Sequence, residues 1–412
     1  MIARAVSAVL KRSLRPFVFT PTREREEPAA LPGLGVYVHI PFCRSICGFC
    51  PYYKVRYREA LVPAFVDALE LEILSLRADG RIPAASVYFG GGTPALLAAY
   101  LPRIRRAIER AFDVRGPWGI ELHPDDVDEE TLARLRAAGV GMVSLGMQSF
   151  HPANLRALGR APEDLSPRID TAVRAGFNVI DVDLIFGIPG QTRASLAADV
   201  RTAVDGGATQ VSTYPFIDFS FTPARVRPLG GRHQRGLMDA LLAATSAAGL
   251  ERTSVWTFAR PGTERYSSVT RDAYVGFGPS AASLLRSSFR ANVFSVDEYV
   301  RDLRADGSPL SFRVDLSPRE RALFWMFWRS YNLRIDRGGY EELFGEPIET
   351  RFATELRAAR TLGIVTRGGD GYDLTPRGAR LFHLVEQLYT HRYIDRVWRL
   401  GTTGSRRRFT VG

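Results

Sequence analysis

The sequence predicts an α/β fold: a partial (β/α)6 barrel of the TIM type followed by a helical, winged-helix-like C-terminal domain. Between residues 36 and 216, short β-branched and aromatic runs alternate with longer Ala-, Leu- and Arg-rich stretches at helical spacing, the pattern of parallel β/α units. The strands are read as VYVHI, SVYFG, GIELH, MVSLGM, NVIDVDLIF and TQVSTYPF, each followed by turn residues. The residues with chemical potential fall just after strand ends, where barrels place function: a cysteine loop after the first, GGGTP after the second, Glu121 near the end of the third and Gln148 beyond the fourth.

The 412 residues divide accordingly. Residues 1–34 read as a basic arm and 35–235 as the barrel. Residues 236–310, with SVWTF and a Gly-rich VGFGPSAAS, read as a barrel extension that lines a second ligand or substrate region. From Leu316 the stretch SPRERALFWMFWRSYNL is apolar at helical spacing. A further helix, a hairpin with a GGDG turn and a last helix complete a winged-helix-like cap over 311–390. Residues 391–412 read as a mobile basic tail.

Composition is that of a globular chain, 45% hydrophobic and 24% charged. No apolar run approaches the ~20 residues of a membrane helix, and MIARAVSAVLKRSLRPF is too short in apolar character for a secretory signal. Its Arg-rich amphipathicity resembles a transit peptide, but acids follow at once in TREREE, so a surface arm and a cytoplasmic location are expected. The net charge of +11 is spread along the chain among acids and not gathered on one aromatic-interleaved face, which argues against nucleic acid as partner.

All three cysteines, Cys43, Cys47 and Cys50, lie within eight residues in HIPFCRSICGFCPYY. Thiolates at CxxxCxxC spacing can each hold one iron of a 4Fe–4S cube, and the fourth iron is left open for a ligand. Zinc would need a fourth ligand. His39 is close enough in sequence, but its place in a strand-like run favours packing. A disulfide would leave an odd thiol. Phe49 lies between the second and third cysteines and can cover an adenine, and Tyr37 precedes them on the strand. In SVYFGGGTPALL the glycines permit close approach of backbone to a ligand, and Thr93 precedes a proline that starts a helix.

Taken in order, CRSICGFC, VYFGGGTP, GIELHPDDV, SLGMQSF with ALGR, DVDLIFGIPGQT, FARPG and VGFGPSAAS resemble the oxygen-independent coproporphyrinogen oxidase-like family of radical S-adenosylmethionine (SAM) enzymes, over about residues 35 to 390. The resemblance implies a 4Fe–4S cluster on Cys43, Cys47 and Cys50, with SAM on the open iron. An electron donor such as flavodoxin or ferredoxin would drive SAM cleavage to a 5'-deoxyadenosyl radical. By position, Gly91, Gly92 and Thr93 would lie near the methionine moiety. Glu121, Arg160 and Asp183 would hold SAM polar groups, with Gln148 and Tyr37 nearby. An Arg160–Asp183 salt bridge is the structural alternative. A second SAM per chain would have Tyr214, Pro215, Ser267, Ser268 and Ala282 as neighbours.

Two departures bear on the activity. Porphyrinogen-oxidising relatives carry a fourth cysteine where this chain has Tyr52, and heme-chaperone relatives carry an Asn-rich, Trp-ending motif where it has RYSSVTRDAYVGFG. The expectation is therefore a radical methyltransferase or cyclopropanase, with the second SAM as methylene donor to an sp2 carbon of an aromatic or heteroaromatic small molecule. Tetrapyrrole chemistry, with His123, His151 and His233 as heme contacts, and a non-catalytic heme chaperone are the alternatives.

Overall fold

A computed structural model of the chain describes residues 16–24, 26, 28, 31–76, 80–222, 227–264, 272–305, 307–402 and 408–411. The first strands are β1 (Phe17–Pro21), β2 (Gly35–Ile40), β3 (Ser86–Gly91), β4 (Trp118–Leu122), β5 (Met142–Gln148), β6 (Val179–Phe186) and β7 (Gln210–Pro215). Strands β2 to β7 are the six expected ones, and they pair in parallel and in sequential order.

Helices Val62–Leu74, Leu101–Ala111, Glu129–Ala137, Ser166–Arg174 and Arg193–Asp205 fill the crossovers, as parallel strands require. Local signals start and stop them. Asp128 accepts the Thr131 N–H at 2.9 Å, and Thr192 and Ser195 form a reciprocal capping box. Gly139, at φ +77°, follows the helix Glu129–Ala137 in the left-handed conformation that glycine tolerates. Phe65, Leu69, Ile104, Ile108, Leu132, Leu135 and Leu196 bury one stripe of each helix, and Val38, Ile120, Val143, Leu145, Val182 and Val211 form the strand layer of the same core.

The sheet is larger than six strands. β8 (Glu251–Arg252) and β9 (Thr257–Ala259) extend it beyond β7, while β10 (Tyr274–Phe277) pairs in parallel with the other edge, β2. β11 (Ala282–Leu284), β12 (Ser288–Asn292) and β13 (Leu310–Asp315) continue from β10 in antiparallel fashion. A bare β2 edge would leave backbone groups unpaired beside the cysteine loop; β10 supplies their partners.

The cap contains β14 (Arg334–Asp336), β15 (Val365–Gly368) and β16 (Gly371–Leu374) in the order β14-β16-β15. Helices Pro318–Tyr331, Arg337–Phe344, Ile348–Thr361 and Pro376–Tyr389 pack around Trp325, Tyr340 and Phe352. This is the winged-helix-like arrangement expected from the sequence. It is fastened to the barrel extension by polar contacts: Trp256 Nε1 donates to His383 Nδ1 at 2.8 Å, and Val255 N–H donates to the Tyr331 carbonyl at 2.9 Å.

The ends of the chain depart from expectation. Instead of a mobile tail, the last residues include helix Asp395–Thr402 and β17 (Phe409–Val411), which pairs with β1 of the N-terminal arm. The reason is apolar content: Phe409 stacks on Phe19 at 4.6 Å and Val411 is fully buried. Among the described residues no helix is long and apolar enough to cross a membrane.

Candidate functional site

The cysteine loop leaves β2 at the C-terminal end of the barrel strands. Its entry is fixed by a short parallel pair, Phe42–Cys43 with Val55–Arg56, and by Tyr57 N–H donating to the Cys43 carbonyl at 2.8 Å. The three thiols are unbridged. Among the described residues no three His, Cys, Asp or Glu side chains converge on one point as a single ion would need, whereas a 4Fe–4S cube offers each thiol its own iron. Thr93 Oγ1 donates to Cys43 Sγ at 3.7 Å, and Lys54 Nζ donates to the Cys50 carbonyl at 2.7 Å. Burial pushes the Cys43 thiol up to about 11, against the Thr93 hydrogen bond that favours its thiolate. A donor aimed at a buried sulfur fits a ligand that is deprotonated when it binds metal.

His39 has both ring nitrogens engaged: Tyr37 OH lies 3.0 Å from Nδ1 and the Tyr53 carbonyl 2.9 Å from Nε2. Burial lowers its pKa to about 4, so it is a neutral packing residue with no lone pair left for a metal.

The glycine turn closes on this loop. A methyl group on Gly92 would lie 2.6 Å from the Phe42 carbonyl oxygen and 3.0 Å from Cys43 Sγ, and one on Gly91 (φ +112°) would strike the His39 ring at 2.6 Å. These glycines are therefore required first by contact between backbone and cysteine loop. The approach to a ligand read from the sequence comes in addition to that contact.

Beyond the turn, acids and phenols line the barrel interior. Glu121 on β4 accepts Tyr88 OH at 2.9 Å and Gly91 N–H at 3.1 Å; burial raises its pKa despite both bonds. On β6, Asp181 and Asp183 share a face by the two-residue period of a strand. Asp183 accepts Ser144 Oγ at 2.7 Å, and Asp181 accepts Ser212 Oγ at 2.7 Å and Gln210 Nε2 at 2.8 Å. Burial, then the neighbouring Asp181 charge, holds Asp183 well above the usual carboxylate range. Tyr52 and Tyr214 expose 48% and 38% of their surface, yet burial, Glu121 (for Tyr52) and Asp183 push their phenols up. Both statements hold when exposed faces look into a chamber enclosed by protein.

Arg160 sits over the Phe49 ring at 5.8 Å and donates to the Gly146 carbonyl at 3.3 Å; its buried Nε has no partner in the protein. No ion pair joins it to Asp183, so the salt-bridge alternative does not describe this site. Gln148 ends β5 at φ +69°, a conformation that costs a non-glycine residue strain and clusters at functional sites. Tyr37 stacks on Tyr88 at 6.3 Å. Cys43, Cys47, Cys50, Phe49, Gly91, Gly92, Thr93, Glu121, Gln148 and Arg160 thus occupy one end of the strands β2 to β5 and the loops that leave it, while Tyr37 and Asp183 lie further back along β2 and β6.

The expected second-ligand residues are less gathered. Tyr214 and Pro215 end β7, while Ala282 begins β11, with six strands between them in sheet order. Ser267 and Ser268 lie outside the described residues. Sequence reasoning missed Tyr88, Ser144, Asp181 and Tyr331. The period-two DVD within NVIDVDLIF could have marked Asp181, since two acids on one face of a buried parallel strand are unusual. Tyr331 comes from the cap, and no sequence pattern places it near the Tyr52 and Tyr214 phenols.

Residues 37–203 match the model of the radical SAM superfamily. The chain is 34% identical over 275 residues to the heme chaperone HemW of Mycobacterium tuberculosis, covering 58% of this chain and 68% of that protein. It is 27% identical over 395 residues to the oxygen-independent coproporphyrinogen III oxidase of Pseudomonas aeruginosa, covering 86% and 85%. Its fold is that of coproporphyrinogen III oxidase (HemN) from Escherichia coli, with a TM-score of 0.74 at 22% identity over 93% and 98% of the two chains. These relatives are named for heme and porphyrinogen chemistry, so the methyltransferase preference drawn from Tyr52 gains no support from them. Three unbridged thiols on the loop after the first barrel strand, the matching superfamily model and these relatives lead to one assignment: the chain belongs to the coproporphyrinogen oxidase-like family of radical SAM proteins.

Proposed function

We propose that this protein cleaves SAM reductively at a 4Fe–4S cluster on Cys43, Cys47 and Cys50 and applies the resulting chemistry to a tetrapyrrole. The observation that carries the cluster reading is the loop itself: three unbridged thiols, one receiving the Thr93 hydroxyl, packed against the Gly91–Gly92 turn. The names of the relatives support the tetrapyrrole. When bound, cluster and SAM supply a 5'-deoxyadenosyl radical, as cofactors do for chemistry that side chains cannot perform. The protein contributes positioning and exclusion of water. Gly91, Gly92 and Thr93 would hold the methionine end of SAM and Glu121 and Asp183 its polar groups, and the Arg160 Nε–H, unpartnered in the protein, would donate to a further acceptor on it. The faces of Tyr37, Tyr52 and Tyr214 offer a planar substrate aromatic walls. The test is anaerobic: reconstituted protein, reductant and SAM with coproporphyrinogen III or with heme. Substrate-dependent 5'-deoxyadenosine with a changed tetrapyrrole supports the reading; heme bound and passed on without SAM cleavage would replace it with a chaperone.

A second reading, methylene transfer from a second SAM to an aromatic carbon, is favoured by Tyr52 at the position of the relatives' fourth cysteine and by RYSSVT in place of a heme motif. Methyl-deuterated SAM separates the two. Deuterium appearing in 5'-deoxyadenosine supports methylene transfer, and its absence with every aromatic acceptor tried removes it.

A further inference from the structure

We propose that Lys54 sets the reduction potential at the cysteine centre, its ammonium held beside the third cysteine by two backbone carbonyls. The inference rests on the reading that Cys43, Cys47 and Cys50 hold a 4Fe–4S cluster.

Of the 55 lysines and arginines in the chain, only Lys11 and Lys54 are lysines. Arginine fills nearly every other cationic position, so a lysine four residues after Cys50 calls for a local reason. The geometry supplies one. Lys54 Nζ donates to the Cys50 carbonyl at 2.7 Å and to the Tyr52 carbonyl at 3.1 Å, acceptors four and two residues back along its own chain. An ammonium carries three donors on one compact atom and can close on both. A guanidinium is longer, and its planar fork suits the two oxygens of a carboxylate better than two carbonyls of its own turn.

The segment that carries this charge is fixed on either side. The Tyr53 carbonyl is bonded to His39 Nε2 at 2.9 Å, Val55 N–H donates to the Pro41 carbonyl at 2.7 Å, and Val55 and Arg56 pair with Phe42 and Cys43. The ammonium therefore keeps one position relative to the cysteines. Both of its partners are carbonyls, and among the described residues it forms no ion pair, so no carboxylate cancels its charge. The field reaches the thiols: burial raises Cys43 and Cys50, and at each of them the Lys54 charge acts the other way and favours the thiolate. A fixed cation that favours negative sulfur also favours the extra negative charge that one-electron reduction brings to the same place. Net charge and hydrogen bonding around the sulfurs are the means by which a protein places the potential of such a group. Lys54 touches a ligand's backbone and not the reacting atoms, so its role is electrostatic positioning.

The test is a redox titration of the anaerobically reconstituted full chain with dithionite, read by the electron paramagnetic resonance of the reduced cluster, beside iron per chain and urea denaturation of the apo-protein. Lys54→Gln keeps a donor for the carbonyls and loses the charge, Lys54→Met loses both, and Lys54→Arg keeps the charge and loses the fit. The Gln and Met variants are expected to shift the one-electron reduction equilibrium about tenfold toward the oxidised form, a potential lower by about 59 mV. Lys54→Arg should lower it less than either. Arg357→Gln, exposed on cap helix Ile348–Thr361, should leave it unchanged. A lysine that only fastens the turn would give the opposite pattern, with Gln at the wild-type potential and the Met and Arg apo-proteins less stable. A wild-type potential in Lys54→Gln therefore overturns the proposal. If a neutral variant takes up less iron, the potential is read on the fraction that does reconstitute, and the same shift is expected there. A wild-type chain that takes up no four-iron cluster removes the cluster reading and this proposal with it, whereas a normal cluster whose potential does not move in the variants removes the role of Lys54 alone.

Discussion

Replacing Gly92 by alanine tests whether the glycine turn exists to receive the cysteine loop. The added methyl would meet the Phe42 carbonyl oxygen at 2.6 Å and Cys43 Sγ at 3.0 Å, both closer than an ordinary contact. The carbonyl cannot simply retreat, because it accepts Thr93 N–H at 2.7 Å and belongs to a residue whose fully buried ring packs on Phe65 at 5.1 Å. Overpacking of this kind costs about 1–3 kcal/mol, and a stretched backbone bond about 1 kcal/mol more, so a loss of roughly 2–4 kcal/mol is expected. Because Cys43 Sγ is one of the three atoms met, with the Phe42 oxygen and the Pro41 carbonyl carbon, the variant should also hold less iron after reconstitution. Urea denaturation of the apo-protein and iron per chain read the two effects separately. Gly231→Ala, at the exposed first residue of helix Gly231–Ala247, where the nearest atom to an added methyl is Arg235 Nη1 at 4.0 Å, should be neutral or stabilising by up to ~1 kcal/mol. If Gly92→Ala keeps wild-type stability and full iron, the account of the turn is wrong.

Cys47→Ala should abolish the visible charge-transfer absorbance of the reconstituted cluster and all SAM cleavage; cleavage retained in that variant would sink the radical reading. Glu121→Gln should fold within about 1 kcal/mol of wild type yet bind SAM more weakly by calorimetry. Glu121→Ala removes the carboxylate to which Tyr88 OH and Gly91 N–H donate, at about 1–3 kcal/mol in all, so equal stability of the two variants would contradict the hydrogen-bond assignment. Glu386, which accepts Thr390 Oγ1 at 2.8 Å, has its pKa pushed up to about 8 by burial. As pH rises from 4.5 to 8 the unfolded chain releases this proton while the folded one keeps it, so the wild type loses stability over that window, on the order of 3–5 kcal/mol. Glu386→Gln should remove that decline, and thermal melts at pH 5 and pH 8 that shift equally in both proteins would refute it.

Legibility from sequence followed the range of the interaction. The six barrel strands could be read because each announces itself through apolar content and turn residues within a few positions, and the candidate cluster loop because all three cysteines lie on it. The pairing of β10 with β2 could not be read, since hydrogen bonds between residues some 240 positions apart leave no local trace. Nor could β17, where the basic run before Phe409 suggested a mobile tail and only the arm's Phe19 gives that ring a partner. The glycines were legible as glycines, but the reason for them, a neighbouring carbonyl and a sulfur, belongs to another strand.

The sequence by itself determined the chemistry of the centre, because ligand type and spacing are covalent properties of a short segment: three thiols at CxxxCxxC can hold a cluster with one open iron. Tertiary structure decided the surroundings of that centre. It made His39 a neutral packing residue, separated Arg160 from Asp183, placed Asp181 and Tyr331 among the chamber groups and left the loop's arginines facing solvent. Burial, which sets charge state and access, is a property of the assembled fold and has no counterpart in a stretch of sequence.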